Sequence, residues 1–560
     1  MKSRHIIAAG IALLGMLSAC VPVDRRLGQD YLGKNQQYEI YTATFPIEDI
    51  RMDYPDGLSS YSSYRFNVGA VRDDIFGLST RAATFTLVPI QDTLDFGKPG
   101  TQVFKQFHFS APIDTLSYIE ENQRHIFQNI NVYEVLEYVD INKSTPEVKH
   151  GSTRITKGIP VYDGTDSLSF DFSKEFAQKY MNITLADLDT ITTYSKKFPG
   201  IYLSTDAPKG NGGRINMFKL PIDVANGYIY GSFAALKFSA EYEGKGKVDT
   251  AFYFTLGPLD IYDFADVKTT KVSEYPQAAY NICTSESSAL KGSATENYFF
   301  EGGKGLKPVI SAESIRNKVV EEISKRGHNP EEIVVSNANI RLPFIFPENY
   351  KDMIFYPTTI SPTCRIVSEE GNIAFANLTD SSISTENQGT INRSTCTYAP
   401  DITHHVQELV SLKDTKKISN YDIWFLPLAV ENTTTAASEA EAEDQYNSYM
   451  NNLSYSQYMS NMYGYGGYGG YGGYGGYGGY GGYGGYYGGY GGYGGYGGYG
   501  GYGNNYYYYA LAANAASAYS GQESSTLLDL GRYYRAEFAG PQAKTGEVPT
   551  MSITYAVPVK

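Results

Sequence analysis

At 560 residues the chain is too long for one hydrophobic core, so two or more domains are expected. Its 60 Asp and Glu outweigh 46 Lys and Arg, for a formal net charge of −14. That balance excludes nucleic acid as the natural partner, because affinity for a phosphate backbone comes from clustered cations that release counterions.

The N-terminus reads as an export signal. Lys2 and Arg4 precede an apolar run from Ile6 to Leu17, too short to span a bilayer, which takes about 20 apolar residues. The run ends in Leu17-Ser18-Ala19-Cys20. This tetrapeptide resembles the lipobox of bacterial lipoproteins, which implies cleavage after Ala19 and lipid attachment to Cys20. Residues 1–19 are then a signal peptide and 20–36 a tether. Val21 stands where lipoproteins retained in the inner membrane carry Asp, so the resemblance favours the outer membrane. Arg25-Arg26 is too small a basic cluster for more than weak contact with anionic head groups.

Residues 37–262 are rich in Tyr, Phe, Val, Ile and Thr with regular turn residues, the pattern of an antiparallel sandwich. Strands are expected at Thr84 to Pro89, Asn131 to Tyr138, Ser167 to Phe172 and Phe252 to Leu256. Asp163-Gly164-Thr165-Asp166 reads as a turn and lacks the terminal Glu of a calcium loop. A short amphipathic segment, Phe176 to Asn182, is followed by strands at Gly200 to Thr205, Arg214 to Phe218 and Ala235 to Tyr242. The same order returns later: a segment at His404 to Val410, then strands at Asp422 to Leu428, Arg532 to Phe538 and Met551 to Val557. The recurrence implies two related modules. A linker is expected at 263–290, with the second module at 291–560. That module carries the clearest helix, in which Ile315, Val319, Val320 and Ile323 recur at helical spacing and Gly327 and Pro330 close the segment.

A low-complexity insert occupies 432–525, with Gly-Gly-Tyr repeats over 463–503. Two glycines in three make ordering costly, and no branched aliphatic residue can build a core, so disorder is expected. Aligned with the first module, the insert replaces the short turn Gly210 to Gly213. It serves either as a weakly adhesive aromatic loop or as a tolerated repeat expansion. The expected fold is therefore mainly β: two jelly-roll-like antiparallel β-sandwich modules, a few short helices and a disordered Gly-Tyr-rich insert.

Motifs that carry chemistry are missing from the sequence. There is no His-Glu-x-x-His, Gly-x-Ser-x-Gly or Walker loop. His404 and His405 are adjacent and diverge by about 100° on a helix, so they cannot chelate together. Beyond Cys20 the cysteines are Cys283, Cys364 and Cys396, at spacings that fit neither zinc nor a redox pair. Cys364 and Cys396 either pair in an oxidising envelope or remain buried thiols. No catalytic residue, metal or cofactor is implied.

Asn67 to Ala82, with Asp73-Asp74-Ile75-Phe76-Gly77 at its centre, resembles the early segment of a Bacteroidota lipoprotein family designated domain of unknown function 4270. Asn131 to Val135, Phe198 to Leu203 and Tyr298 to Gly305 carry the same resemblance. It implies an outer-membrane lipoprotein, often surface-exposed, with no assigned reaction; Val21 to Arg26 departs from the acidic stretch common after the cysteine of surface lipoproteins. Asp-Thr and Asp-Ser steps at Thr93, Thr115, Ser167, Thr190 and Thr250 resemble the O-glycosylation acceptors of these bacteria, or simply mark turns before strands. The expected role is a non-catalytic accessory subunit of an outer-membrane complex such as barrel assembly. Its partner would be a barrel protein or another lipoprotein. Glycan binding is the alternative, and a hydrolase a more distant one.

Overall fold

The fold was read from a computed structural model, which describes residues 37–90, 94–115, 117–119, 126–139, 147–188, 190–220, 222–225, 228–257, 277–293, 296–383, 389–433, 523–544 and 546–559. The signal peptide, the tether and the Gly-Tyr repeats lie outside them. The described chain is mainly β, with large antiparallel sheets and few helices.

The first module contains β3 (Tyr61–Ser62), β4 (Arg65–Asp73), β5 (Gly77–Pro89), β6 (Val103–Pro112), β7 (Tyr118–Ile119), β8 (Gln128–Val135), β9 (His150–Arg154), β10 (Val161–Tyr162) and β11 (Ser167–Asp171). It continues through α1 (Lys174–Met181), α2 (Ile191–Lys197), β12 (Ile201–Thr205), β13 (Gly212–Lys219), β14 (Asp223–Ala225), β15 (Tyr228–Tyr230), β16 (Phe233–Tyr242), β17 (Gly246–Gly257) and β18 (Ala279–Ser285). The second contains β1 (Tyr38–Pro46), β2 (Ile50–Asp53), β19 (Gly292–Ser293), β20 (Asn297–Glu301), β21 (Lys307–Ile310), α3 (Ala312–Lys325), β22 (Val334–Pro343), β23 (Thr359–Val367) and β24 (Ile373–Asn377). After these come α4 (Asp380–Ile383), β25 (Thr397–Tyr398), α5 (Thr403–Ser411), β26 (Ile423–Thr433), β27 (Glu523–Leu528), β28 (Arg535–Ala539) and β29 (Thr550–Pro558).

One pairing pattern builds both modules. In the first, β17, β16, β6 and β11 lie side by side, and β18, β5, β12, β8 and β9 form the facing layer, joined to them through the second half of β5. In the second, β1, β29, β22 and β25 form one layer and β2, β21, β26, β23 and β24 the other. The β4–β13 pair of the first recurs as β20–β28. The repeat is therefore visible in the strand pairing, but the two copies start at different points. The strands that end the first module, β17 and β18, correspond to β1 and β2, which begin the chain. The modules are circular permutations of each other.

This arrangement corrects the expected boundaries. Residues 38–53 belong to the second module, where β1 pairs with β29 along its whole length and β2 pairs with β21. Within the expected linker, β18 is a strand of the first module, paired with β5 from Tyr280↔Thr84 to Ser285↔Ser79. Local pattern could not reveal this, because β1 buries only Ala43 and Phe45 and a strand's partner is not encoded in its own alternation.

Phenylalanine fills the first core. Phe107, Phe109, Phe172 and Phe254 are buried, and α1 adds Phe176, Ala177 and Tyr180 after an N-cap in which Ser173 accepts from the Phe176 amide. The second core takes Ile315, Val319 and Ile323 from α3, with Met551, Ile553, Tyr555 and Val557 alternating inward along β29. Val320, also on the expected helical stripe, is only half-buried.

A chain beginning at Tyr54 lacks β1 and β2. It should lose the folding transition of the second module and retain a protease-resistant fragment spanning β3 to β18, read by limited proteolysis and calorimetry. Two intact transitions in that chain would contradict the permuted arrangement.

Candidate functional site

The sites named from sequence are scattered. Ala19, Cys20 and Thr93 lie outside the described residues. Thr115 and Ser167 are exposed. Thr190 is exposed but caps α2, its hydroxyl accepting from the Thr193 amide at 3.1 Å. Thr250 is half-buried against Tyr242, with 3.2 Å between the hydroxyl oxygens. Of the two alternatives left open for Cys364 and Cys396, the structure has the free thiols, and Cys283 is free as well. Cys364 is buried inside β23, and Cys396 sits in a turn at φ 48°. Asp163 to Asp166 forms a turn in which the Asp163 carboxylate accepts from the amide and hydroxyl of Thr165.

The histidine pair diverges as its spacing requires. His405 is buried and bonded through Nε2 to the Tyr421 carbonyl at 3.0 Å, whereas the His404 side chain is partly exposed, 3.7 Å from Glu408. Asp380 caps α5 by accepting from the amides of His404 and His405. Burial pushes His405 down to about 4. Its folded value lies below the ordinary 6.5, so its contribution to stability is complete above that pH and lost as pH falls through 4. His405→Gln should flatten this limb, worth about 3 kcal/mol, in denaturant melts between pH 7 and 4. An unchanged limb would show that other groups control acid unfolding.

A buried polar cluster lies at the module junction, in the Tyr298 to Gly305 segment noted from sequence. Glu301 is fully buried at the end of β20 and accepts hydroxyls from Ser79, Ser285 and Ser287 of the first module, the last two at 2.7 Å. Lys307 is equally buried. Its ammonium donates to the carbonyls of Glu301, Gly303 and Gly305, which accounts for its three protons, and lies 4.9 Å from the centre of the Phe300 ring. Burial pushes Lys307 down to about 7, against the pull of the Glu301 carboxylate. The turn must be glycine: a Cβ on Gly302 would meet the Arg532 carbonyl at 2.5 Å, one on Gly305 the Glu301 carboxyl at 2.5 Å, and Gly303 has φ +61°. Nearby, Arg535 pairs with Asp73, and Tyr118, Phe355 and Tyr533 pack ring on ring between the modules. Lys307→Met should leave three carbonyls without their donor and cost about 3 kcal/mol in chemical denaturation. A change within a few tenths of that unit would show that the ammonium does not hold the turn.

The turn delivers Lys304 to the outer face of the first module. There the pairings Tyr202↔Thr84↔Tyr280 set two tyrosines on strands flanking a small residue. A pocket of about 170 Å³ results, lined by Val148, His150, Tyr202, Tyr280, Ile282, Cys283 and Lys304. His150 is stacked between Tyr133 and Tyr202, its ring 4.2 Å from Tyr202 and inclined by 10°. Lys304 donates to the Tyr280 hydroxyl at 3.1 Å, and burial pushes its pKa down to about 8. Sequence reasoning noted the segment but not Lys304. Its only signal was a lysine between two glycines. No family model matches the chain, and comparisons with curated proteins and with solved structures find no match either.

Proposed function

We propose that the chain is an outer-membrane lipoprotein, cleaved after Ala19 and anchored through Cys20, that serves as a non-catalytic accessory subunit of an outer-membrane complex such as barrel assembly. The observation that carries this reading is the segment between β22 and β23. Phe346, Tyr350 and Ile354 are exposed there by 49%, 71% and 72%, while Met353 and Phe355 of the same segment are buried. Asn349 caps its short 3-10 helix by accepting from the Lys351 amide at 3.2 Å. Large apolar side chains presented on a fixed support are what a protein partner buries at the centre of an interface. The lipobox and the resemblance to the Bacteroidota lipoprotein family support the same reading.

Crosslinking and mass spectrometry on intact cells should recover the protein with a barrel protein or another lipoprotein. Ile354→Glu combined with Phe346→Glu should abolish that recovery without shifting the melting temperature, and Cys20→Ala should take up no palmitate analogue. Recovery of the wild-type chain alone would overturn the accessory role, and label retained by Cys20→Ala would overturn the anchor.

A second reading, a glycan-binding surface lipoprotein, is favoured by the pocket between Tyr202 and Tyr280. It sets two tyrosine rings beside His150 and Lys304, a combination of flat aromatic faces and hydrogen-bonding groups that suits a sugar. A glycan array probed with the full chain tests it.

A further inference from the structure

We propose that Ser169, His108 and Asp171 form a nucleophilic triad on the outer face of the first module that hydrolyses carboxylic esters. The inference goes beyond the accessory role, which asks no chemistry of the chain, and takes up the hydrolase reading that the sequence left as the most distant. Its first support is geometry. Ser169 Oγ lies 3.0 Å from His108 Nε2, and His108 Nδ1 lies 2.8 Å from Asp171 Oδ1. These are the contacts that a nucleophile, its base and the group orienting that base require.

The protons follow from the partners. Asp171 Oδ1 also accepts from Gln106 Nε2 at 2.8 Å, which fixes the carboxylate from a second side. Burial raises the Asp171 pKa, but the hydrogen bonds from His108 and Gln106 outweigh it and hold the carboxyl below the usual carboxylate range. An ionised carboxylate only accepts, so His108 Nδ1 carries a proton. In the neutral imidazole Nε2 is then an acceptor, and the Ser169 hydroxyl must donate to it. This is the tautomer from which a serine is deprotonated as it attacks.

Strand register explains why the three meet and what surrounds them. Asp171↔His108 and Ser169↔Ser110 are opposed on β11 and β6. The neighbouring backbone bonds, Phe172 amide to Phe107 carbonyl and Ile113 amide to Asp166 carbonyl, make both the closer, non-hydrogen-bonded kind of pair. Phe107 and Phe109, which alternate with them along β6, are fully buried, so the triad stands on the outward face over a packed core. The His108 and Asp171 side chains are 29% and 32% exposed and Ser169 is exposed, which leaves Oγ open to a substrate. Across β16 and β17 the His108 row continues as Ala235 and Tyr253, and Phe233 stands opposite Ser110. The Phe233 and Tyr253 rings are 6.0 Å apart. Two strand spacings of about 4.8 Å separate Tyr253 from His108, so an ester with an apolar part reaches these rings over the small Ala235.

In the reaction Ser169 Oγ attacks the ester carbonyl carbon while its proton passes to His108 Nε2. Ser110, opposite Ser169 on the same face, offers a hydroxyl to the oxygen that gains charge. Collapse breaks the bond to the alkoxy group, which takes the proton from His108 and leaves as the alcohol. Water then attacks the acyl-serine and gives a proton to His108; the carboxylic acid leaves as Ser169 recovers that proton. Asp171 and Gln106 are positioning residues.

Full-length protein treated with an alkyl fluorophosphonate should lose fluoride and carry the phosphonyl group on Ser169, located by peptide mass spectrometry, and should hydrolyse p-nitrophenyl butyrate. Ser169→Ala and His108→Gln should lower ester turnover on the order of a hundredfold or more at unchanged melting temperature. Asp171→Asn should lower kcat with little change in KM, whereas a merely structural carboxylate would move the melting temperature and leave kcat alone. Tyr253→Ala should raise KM. No label on Ser169, label there without ester turnover, or turnover that survives Ser169→Ala would each overturn the inference.

Discussion

The junction depends on one buried ammonium. A lysine brought into a protein interior loses strong hydration, and it remains charged only if the fold returns equivalent contacts. Lys307 receives them from three carbonyls of a single turn, so the turn cannot relax without exposing a charge to apolar surroundings. The same turn sets the direction of Glu301, which carries the hydroxyls of three serines from the other module. It also sets the height at which Lys304 emerges over Tyr280. Core, interface and pocket are thus three faces of the six residues from Glu301 to Leu306 and the lysine that follows them.

Permutation gives the junction its other role. The first module is complete once β18 has been made, but the second waits for β29 before β1 has a partner. The side-chain contact between Thr42 and Thr554 spans 512 positions of sequence. Contacts of that range carry a large loop-closure cost and form late. An early-folded first module already holds the hydroxyls that receive Glu301, so it offers β20 and its turn a surface on which to order before the terminal strands meet. Asp73 and Arg535 close the same junction from the opposite hairpins, with the guanidinium 4.7 Å from the centre of the Phe355 ring.

Much of the fold was legible in the sequence because its signals are local. Alternation marked Met551 to Val557, helical spacing marked the stripe on α3, and the repeated element order at Phe176 and His404 pointed to paired modules. The 100° offset between neighbours on a helix was enough to separate His404 from His405. What was hidden depends on partners. β1 has too few buried residues to declare a core side, and β18 carries Asn281, whose amide group bonds to the backbone of Arg65 and Asn67 and not to solvent. Lys307 reads from sequence as a surface residue, since lysine is almost never fully buried without special provision. The pocket escaped for the same reason: Tyr202, Tyr280 and Lys304 are separated by long stretches of chain and meet only through the register of β5 and the turn of the other module.

Strand register also explains where the chain can accept an insertion. β26 pairs with β23 only as far as Leu428↔Thr359, while its pairing with β27 continues to Thr433↔Glu523. From Ala429 to Thr433 the hairpin therefore runs beyond that neighbour for roughly 15 Å at about 3.3 Å per residue. Chain inserted at its tip enters far from the core formed by β21, β23 and α3. The corresponding place in the first module is the connection between β12 and β13, which is short and ends in Gly210-Asn211 before Gly212-Gly213 open β13. Since the entropy of closing a loop grows only with the logarithm of its length, a hairpin already closed by six paired positions bears a long insertion at little additional cost. Insertion at β20–β21 would be a different matter. That turn is as glycine-rich as the Gly210 to Gly213 connection, but its carbonyls hold the Lys307 ammonium, and lengthening it would separate the three acceptors that keep a buried charge in place.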